Sequence, residues 1–152
     1  MRRFAVSLLA AASLASAALA EDVTIATAQG EATVAAPPAK VVAFDVAAID
    51  TLTALGVTLA GVPDNLYIPS LMANPALKVP TVGTLFEPDL EKLAGIAPDL
   101  IVVGSRSAAQ KDAVAQIAPA IDMTIGPDLI PEAEARLATY GTLFGKTAGA
   151  GA

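Results

Sequence analysis

Apolar positions along the chain follow two rhythms, short strand-like runs and stretches with helical spacing. Residues 23–27 (VTIAT) and 31–35 (EATVA) alternate apolar and polar side chains, and Gln29-Gly30 between them reads as a hairpin turn. Pro37-Pro38 breaks that pattern. Residues 40–44 (KVVAF) then form a continuous apolar run of the kind covered on both faces in a parallel sheet. Asp45 follows as an N-cap; Ala48, Ile49, Leu52 and Leu55 make a helical stripe, and Gly56 closes it. Residues 57–62 read as a further strand, leading into a loop rich in Pro and Asn that holds Asn65 and Tyr67.

The densest pattern lies at residues 79–106, VPTVGTLFEPDLEKLAGIAPDLIVVGSR. Residues 79–82 read as a strand ended by Gly83, and Pro88 suits the first turn of a helix, with Asp89 and Glu91 at its positive end. Leu90, Leu93, Ala94 and Ala97 recur at helical spacing until Pro98 stops them, and residues 99–103 (DLIVV) form a second buried strand. The stretch therefore predicts a βαβ unit with Arg106 just past the carboxyl end of its second strand. Beyond it the spacing predicts a helix carrying Ala113, Val114, Ile117 and Ala118, a strand over 120–125, and a last helix opened by Pro131 and closed by Gly145. Strands alternating with helices predict an α/β domain, its sheet mainly parallel and flanked by helices, preceded by a β-hairpin.

Composition narrows the chemistry. The 152 residues suit one domain, and 55% apolar against 16% charged residues is a folded composition. Fifteen acidic against nine basic residues give a net charge of −6, which excludes a basic nucleic-acid footprint. The chain has no Cys and no His, so disulfides, thiolate nucleophiles, zinc ribbons and His-based catalysis are absent. Any metal must arrive already chelated or be held by oxygen alone.

Residues 1–20 read as a signal peptide rather than as fold. Arg2 and Arg3 precede an apolar stretch, and Ala18-Leu19-Ala20 fits the small-x-small cleavage rule, so the mature chain is expected to start at Glu21. Losing Arg2 and Arg3 takes the net charge from −6 to −8. The expected product is an exported, acidic protein without stable membrane insertion.

An arginine in the first turn of a helix opposes the helix dipole. At Arg106 this makes sense if an anion sits there, since ligands of open α/β sheets bind outside the carboxyl ends of strands. The alternative is a surface arginine, solvated or paired with Asp112 or Glu87, and physics alone leaves both open. Within GTLFEPD (residues 83–89), Leu85 and Phe86 are large apolar side chains in a turn. Either Phe86 tucks into the core with Glu87 as an ordinary helix-start acid, or both project from the same rim as Arg106.

Residues 40–57 (KVVAFDVAAIDTLTALGV), 82–106, 116–121 (QIAPAI) and 139–146 (TYGTLFGK) together resemble the N-terminal lobe of periplasmic ferric-siderophore-binding proteins of ABC importers. The likeness is nearest to the catecholate group that includes petrobactin and anguibactin receptors. It implies that Arg106 pairs with oxygens of an anionic ferric chelate, that Thr84, Leu85 and Phe86 line the cleft rim, and that the loop around Asn65 and Tyr67 faces the same cleft. It also implies that Glu87 docks on an arginine of the membrane permease. Such proteins capture a ligand without catalysis and need no cofactor, because the siderophore supplies the iron ligands. The resemblance assigns residues 21–145 to one lobe and 146–152 to the start of an interlobe linker. The resemblance also implies a second lobe, with the ligand between the two, so the expectation is a truncated product or fragment that folds as an isolated lobe with little or no siderophore affinity.

Two other readings compete. Residues 141–147 (GTLFGKT) look like a phosphate loop, but three residues rather than four separate Gly141 from Gly-Lys, and the stretch ends a helical pattern. The other is a lobe that only docks a permease through Glu87.

Overall fold

The computed structural model describes residues 21–64 and 66–146. The expected signal peptide at 1–20, Asn65 and the tail from Thr147 lie outside the described residues. The alternating N-terminal segments form β1 (Glu21–Thr27) and β2 (Gly30–Ala36), paired antiparallel from Glu21 opposite Ala36 to Thr27 opposite Gly30. Ala28 and Gln29 make the turn, and Gly30 at φ 102° is the left-handed residue that follows it into β2. Ile25 and Val34 are buried on one face, whereas Thr24 and Thr33 face water with their hydroxyls 3.2 Å apart.

The apolar runs form β3 (Val41–Ala43), β4 (Leu59–Gly61), β5 (Leu100–Val103) and β6 (Ala120–Asp122). They make one parallel sheet in the order β4-β3-β5-β6. Helices α1 (Val46–Ala54), α2 (Pro69–Met72), α3 (Leu90–Ile96), α4 (Lys111–Val114) and α5 (Leu129–Phe144) connect or follow them. Successive side chains of a strand point to opposite faces, so β3 builds two cores. Val41 and Ala43 pack with Ile49 and Leu52 of α1, Tyr140 and Leu143 of α5, and the hairpin residues Ile25 and Val34. Val42 and Phe44 pack with Leu93 of α3 and Val114 of α4 on the other face. A fully buried aliphatic or aromatic side chain of this kind contributes about 1.5–3 kcal/mol.

Local chemistry sets the element ends. Asp45 caps α1 by accepting the Ala48 N–H at 2.9 Å, and Gly56 at φ 69° follows its C-cap. Asp89 caps α3 by accepting the Lys92 N–H at 3.0 Å, which leaves Pro88 outside the helix rather than in its first turn.

Residues 79–82 are not a strand of the sheet as their apolar pattern predicts. They make one parallel bridge, Val62 to Thr81, at the edge beyond β4, because Pro80 has no N–H for a ladder. The parallel neighbour of β5 is β3. The segment after Gly104 starts as a 3₁₀ turn, Ser105–Gln110, and only Lys111–Val114 is α-helical. Residues 141–144 belong to α5, and Gly145 ends it in the left-handed conformation. The Lys146 ammonium donates to the Gly56 carbonyl at 2.9 Å. This is the negative end of a helix, the wrong pole for a phosphate.

Candidate functional site

From β3 the chain passes through α1 to β4 on one side; from β5 it passes through α4 to β6 on the other. The two connections leave in opposite directions and their helices lie on opposite faces, so β3 and β5 flank a topological switch point. Such a crevice, beyond the carboxyl ends of the strands, is where open α/β sheets bind ligands. A cavity of about 550 Å³ opens there. Phe44 and Asp45 after β3 and Gly104, Ser105 and Arg106 after β5 form one side of it. Val46, Ala47 and Asp50 of α1 form another, and Leu66, Tyr67, Ile68 and Leu85 close the loop side.

Asp45 is buried at the floor. Desolvation pushes its carboxyl above the usual carboxylate range, opposed by the N–H groups of Ala48 and Ala47; the charge of Asp122 pushes in the same direction as burial. Behind it, burial raises the Tyr140 phenol far above its ordinary value, and the nearby Asp45 charge adds to this.

Arg106 is the one cation in the cavity wall, and its side chain is exposed. The single ion pair among the described residues joins Lys92 to Asp89 at 3.4 Å, so Arg106 pairs with neither Asp112 nor Glu87. Its loop is fixed on both sides. Ser107 is fully buried; its hydroxyl donates to the Gly104 carbonyl at 3.0 Å and accepts the Gly104 N–H at 3.1 Å. On the other side the Ser105 N–H donates to Thr124 Oγ1 at 2.7 Å.

The turn at 83–88 is a closed unit. Gly83 bridges Pro88, and the Thr84 hydroxyl accepts the N–H groups of Phe86 at 3.3 Å and Glu87 at 3.0 Å. Leu85 consequently points into the cavity while Glu87 stays exposed and Phe86 is 60% exposed, outside the core.

A model of the family described as "Periplasmic binding protein" matches residues 41–151. The chain belongs to the periplasmic binding protein family. Within that family it is similar to the petrobactin-binding protein YclQ of Bacillus subtilis, 34% identical over 112 residues, which cover 72% of this chain and 35% of YclQ. It superposes on the periplasmic catecholate-siderophore-binding protein VctP of Vibrio cholerae with a TM-score of 0.73 and 31% identity, covering 82% of this chain and 46% of VctP. The iron uptake ABC transporter substrate-binding protein PiuA of Streptococcus pneumoniae gives 0.69 and 31%, over 84% and 45%. The chain thus spans about a third to a half of the length of these periplasmic binding proteins.

Among the residues singled out in the sequence, the fold brings Arg106, Tyr67 and Leu85 to one cavity. Thr84 and Phe86 do not line it: the Thr84 hydroxyl is spent on its own turn, and Phe86 projects outward. Glu87 stands on the exposed turn beside it, and Asn65 lies outside the described residues. Sequence reasoning missed Asp50, Ser105 and Ile68 as wall residues, and it saw Asp45 only as a cap. The position of Asp45 one residue past a buried strand was the signal available for it.

Proposed function

We propose that residues 21–145 form the N-terminal lobe of a periplasmic solute-binding protein that captures an anionic ferric siderophore and delivers it to an ABC permease. The observation that carries this is the Arg106 guanidinium, without an ion-pair partner among the described residues, in the wall of a largely apolar cavity at the switch point of the sheet. A guanidinium with no carboxylate partner is free for charge-assisted hydrogen bonds to chelate oxygens, and apolar walls suit aromatic catechol rings. YclQ binds petrobactin, VctP binds catecholate siderophores and PiuA serves iron uptake, which agrees with that chemistry. Iron would come held by the siderophore, because the chain offers neither His nor Cys. The role is binding without catalysis.

Glu87 on its rigid, exposed turn is the proposed contact to the permease. A periplasmic location accords with the family. Among the described residues no helix is long and apolar enough to cross a membrane.

Isothermal titration of the chain with a ferric bis-catecholate tests the reading. Wild type should still bind, though weakly because one lobe supplies only part of the contacts, and Arg106→Ala should lose about tenfold or more, since hydrogen bonds to charged groups contribute about 1.5–3 kcal/mol. A folded chain that gives no binding heat, or a variant that binds equally well, would sink it. Glu87→Arg should leave that affinity unchanged while reducing uptake in cells.

A further inference from the structure

We infer that Thr124 and Asp122 are positioning residues that hold the Arg106 loop in its ligand-facing conformation. The inference rests on the reading of Arg106 as the chelate-binding cation. It begins with backbone strain. Three described residues other than glycine have positive φ: Tyr67 at 53°, Ala97 at 51° and Ser105 at 48°. Ala97 ends α3, where a left-handed residue is ordinary. The other two both line the cavity, and Ser105 is the immediate neighbour of Arg106. A serine persists in this region only where its surroundings impose it.

A chain of hydrogen bonds supplies that constraint. Asp122 is buried at the end of β6. Its Oδ1 accepts the Thr124 hydroxyl at 2.6 Å and the Thr124 N–H at 3.0 Å. The Thr124 hydroxyl gives its single proton to Asp122, so its oxygen lone pairs are left to accept. What they accept is the Ser105 N–H, at 2.7 Å. The other Asp122 oxygen takes the Gln29 amide at 3.1 Å, and the Lys111 ammonium donates to that amide's oxygen at 2.6 Å.

The hairpin turn, the end of β6 and the start of α4 therefore converge on one carboxylate, and the carboxylate orients the hydroxyl that holds Ser105. With Ser107 gripping Gly104 from the other side, the backbone of Arg106 is clamped while its side chain stays unpaired. A cation held this way loses little backbone freedom when a ligand arrives, which is how a fixed loop raises affinity without touching the ligand.

Thr124→Val removes the hydroxyl at nearly constant shape, and Thr124→Ser restores it. Amide exchange of Ser105, followed by NMR, should speed up at least tenfold in Thr124→Val, while the β5 amides of Ile101 and Val102 keep their rates. Affinity for the ferric bis-catecholate should fall about fivefold or more in the same variant, with the folded far-UV circular dichroism spectrum retained, and both readouts should return with Thr124→Ser. Arg106→Ala is run alongside. If Arg106→Ala loses binding while Thr124→Val keeps wild-type affinity, the positioning inference is wrong and the reading of Arg106 stands. If Arg106→Ala binds like wild type, or the wild-type chain does not bind, the reading of Arg106 fails and takes this inference with it. A Val variant that loses affinity without faster Ser105 exchange also overturns it.

Discussion

Gly104 passes so close to Asp45 that a Cβ added to it would stand 3.0 Å from Asp45 Cγ and 3.1 Å from Oδ2. The two residues follow neighbouring parallel strands, and the Asp45 side chain lies against the Gly104 backbone in the cavity wall. Space favours glycine here and conformation does not, because Gly104 has φ 176°, extended backbone open to any residue.

Gly104→Ala should therefore destabilise through overpacking, by about 1–3 kcal/mol. Urea denaturation should show a lower midpoint with an unchanged slope. An unchanged midpoint would mean that Asp45 can swing aside freely, against its role as the N-cap of α1.

Asp45 itself ties stability to pH. Its folded pKa is raised, chiefly by burial, so the folded chain binds this proton more tightly than the unfolded one. The stability it contributes is fully present below the unfolded carboxylate value, and it is lost as pH rises through the folded one. Asn caps helices about as well as Asp and carries no charge. Asp45→Asn should thus melt higher than wild type at neutral pH, and the gain should vanish as pH falls below the ordinary carboxylate value of 3.8. A gain that stays constant with pH, measured by thermal melts across that window, would contradict the burial argument.

Ser107 provides a third test. Its hydroxyl is fully buried and both donates to and accepts from the Gly104 backbone. Ser107→Ala leaves a buried N–H without its side-chain acceptor, a loss of about 1–3 kcal/mol in denaturant midpoints. Ser107→Thr keeps the hydroxyl and adds a methyl group where there is little room, so it should recover only part of that loss.

Much of this was readable in advance because the signals were local. The apolar runs at β3 and β5, the Asp45 cap and the left-handed Gly145 depend on neighbours a few residues away, and each stands where its pattern places it. Residues 79–82 show how such reading fails. Their apolar pattern is strand-like, but one missing N–H at Pro80 reduces them to a bridge at the sheet edge. The site was harder still. Arg106 stood out as a cation past a strand end, whereas Asp50 and Ile68 reach the cavity only through the packing of α1 and the following loop. Nothing in the sequence pairs Gln29 with Asp122, which lie 93 residues apart.

The turn that carries Glu87 allows stability to be separated from docking. Gly83 has φ 89°, and a Cβ there would overlap the Glu87 carbonyl oxygen and lie 2.5 Å from the Asp89 nitrogen. Backbone cannot yield as a flexible side chain would, so Gly83→Ala should cost more than about 1 kcal/mol and loosen the turn. Glu87 is exposed and makes no ion pair among the described residues. Its replacement by Ala should stay within about ±0.5 kcal/mol of wild type. Thermal melts of the two variants side by side check the contrast. A large loss in Glu87→Ala would show that the carboxylate holds the fold together. A wild-type melt there, with reduced transfer to the permease, would leave Glu87 as a charge kept exposed for a partner.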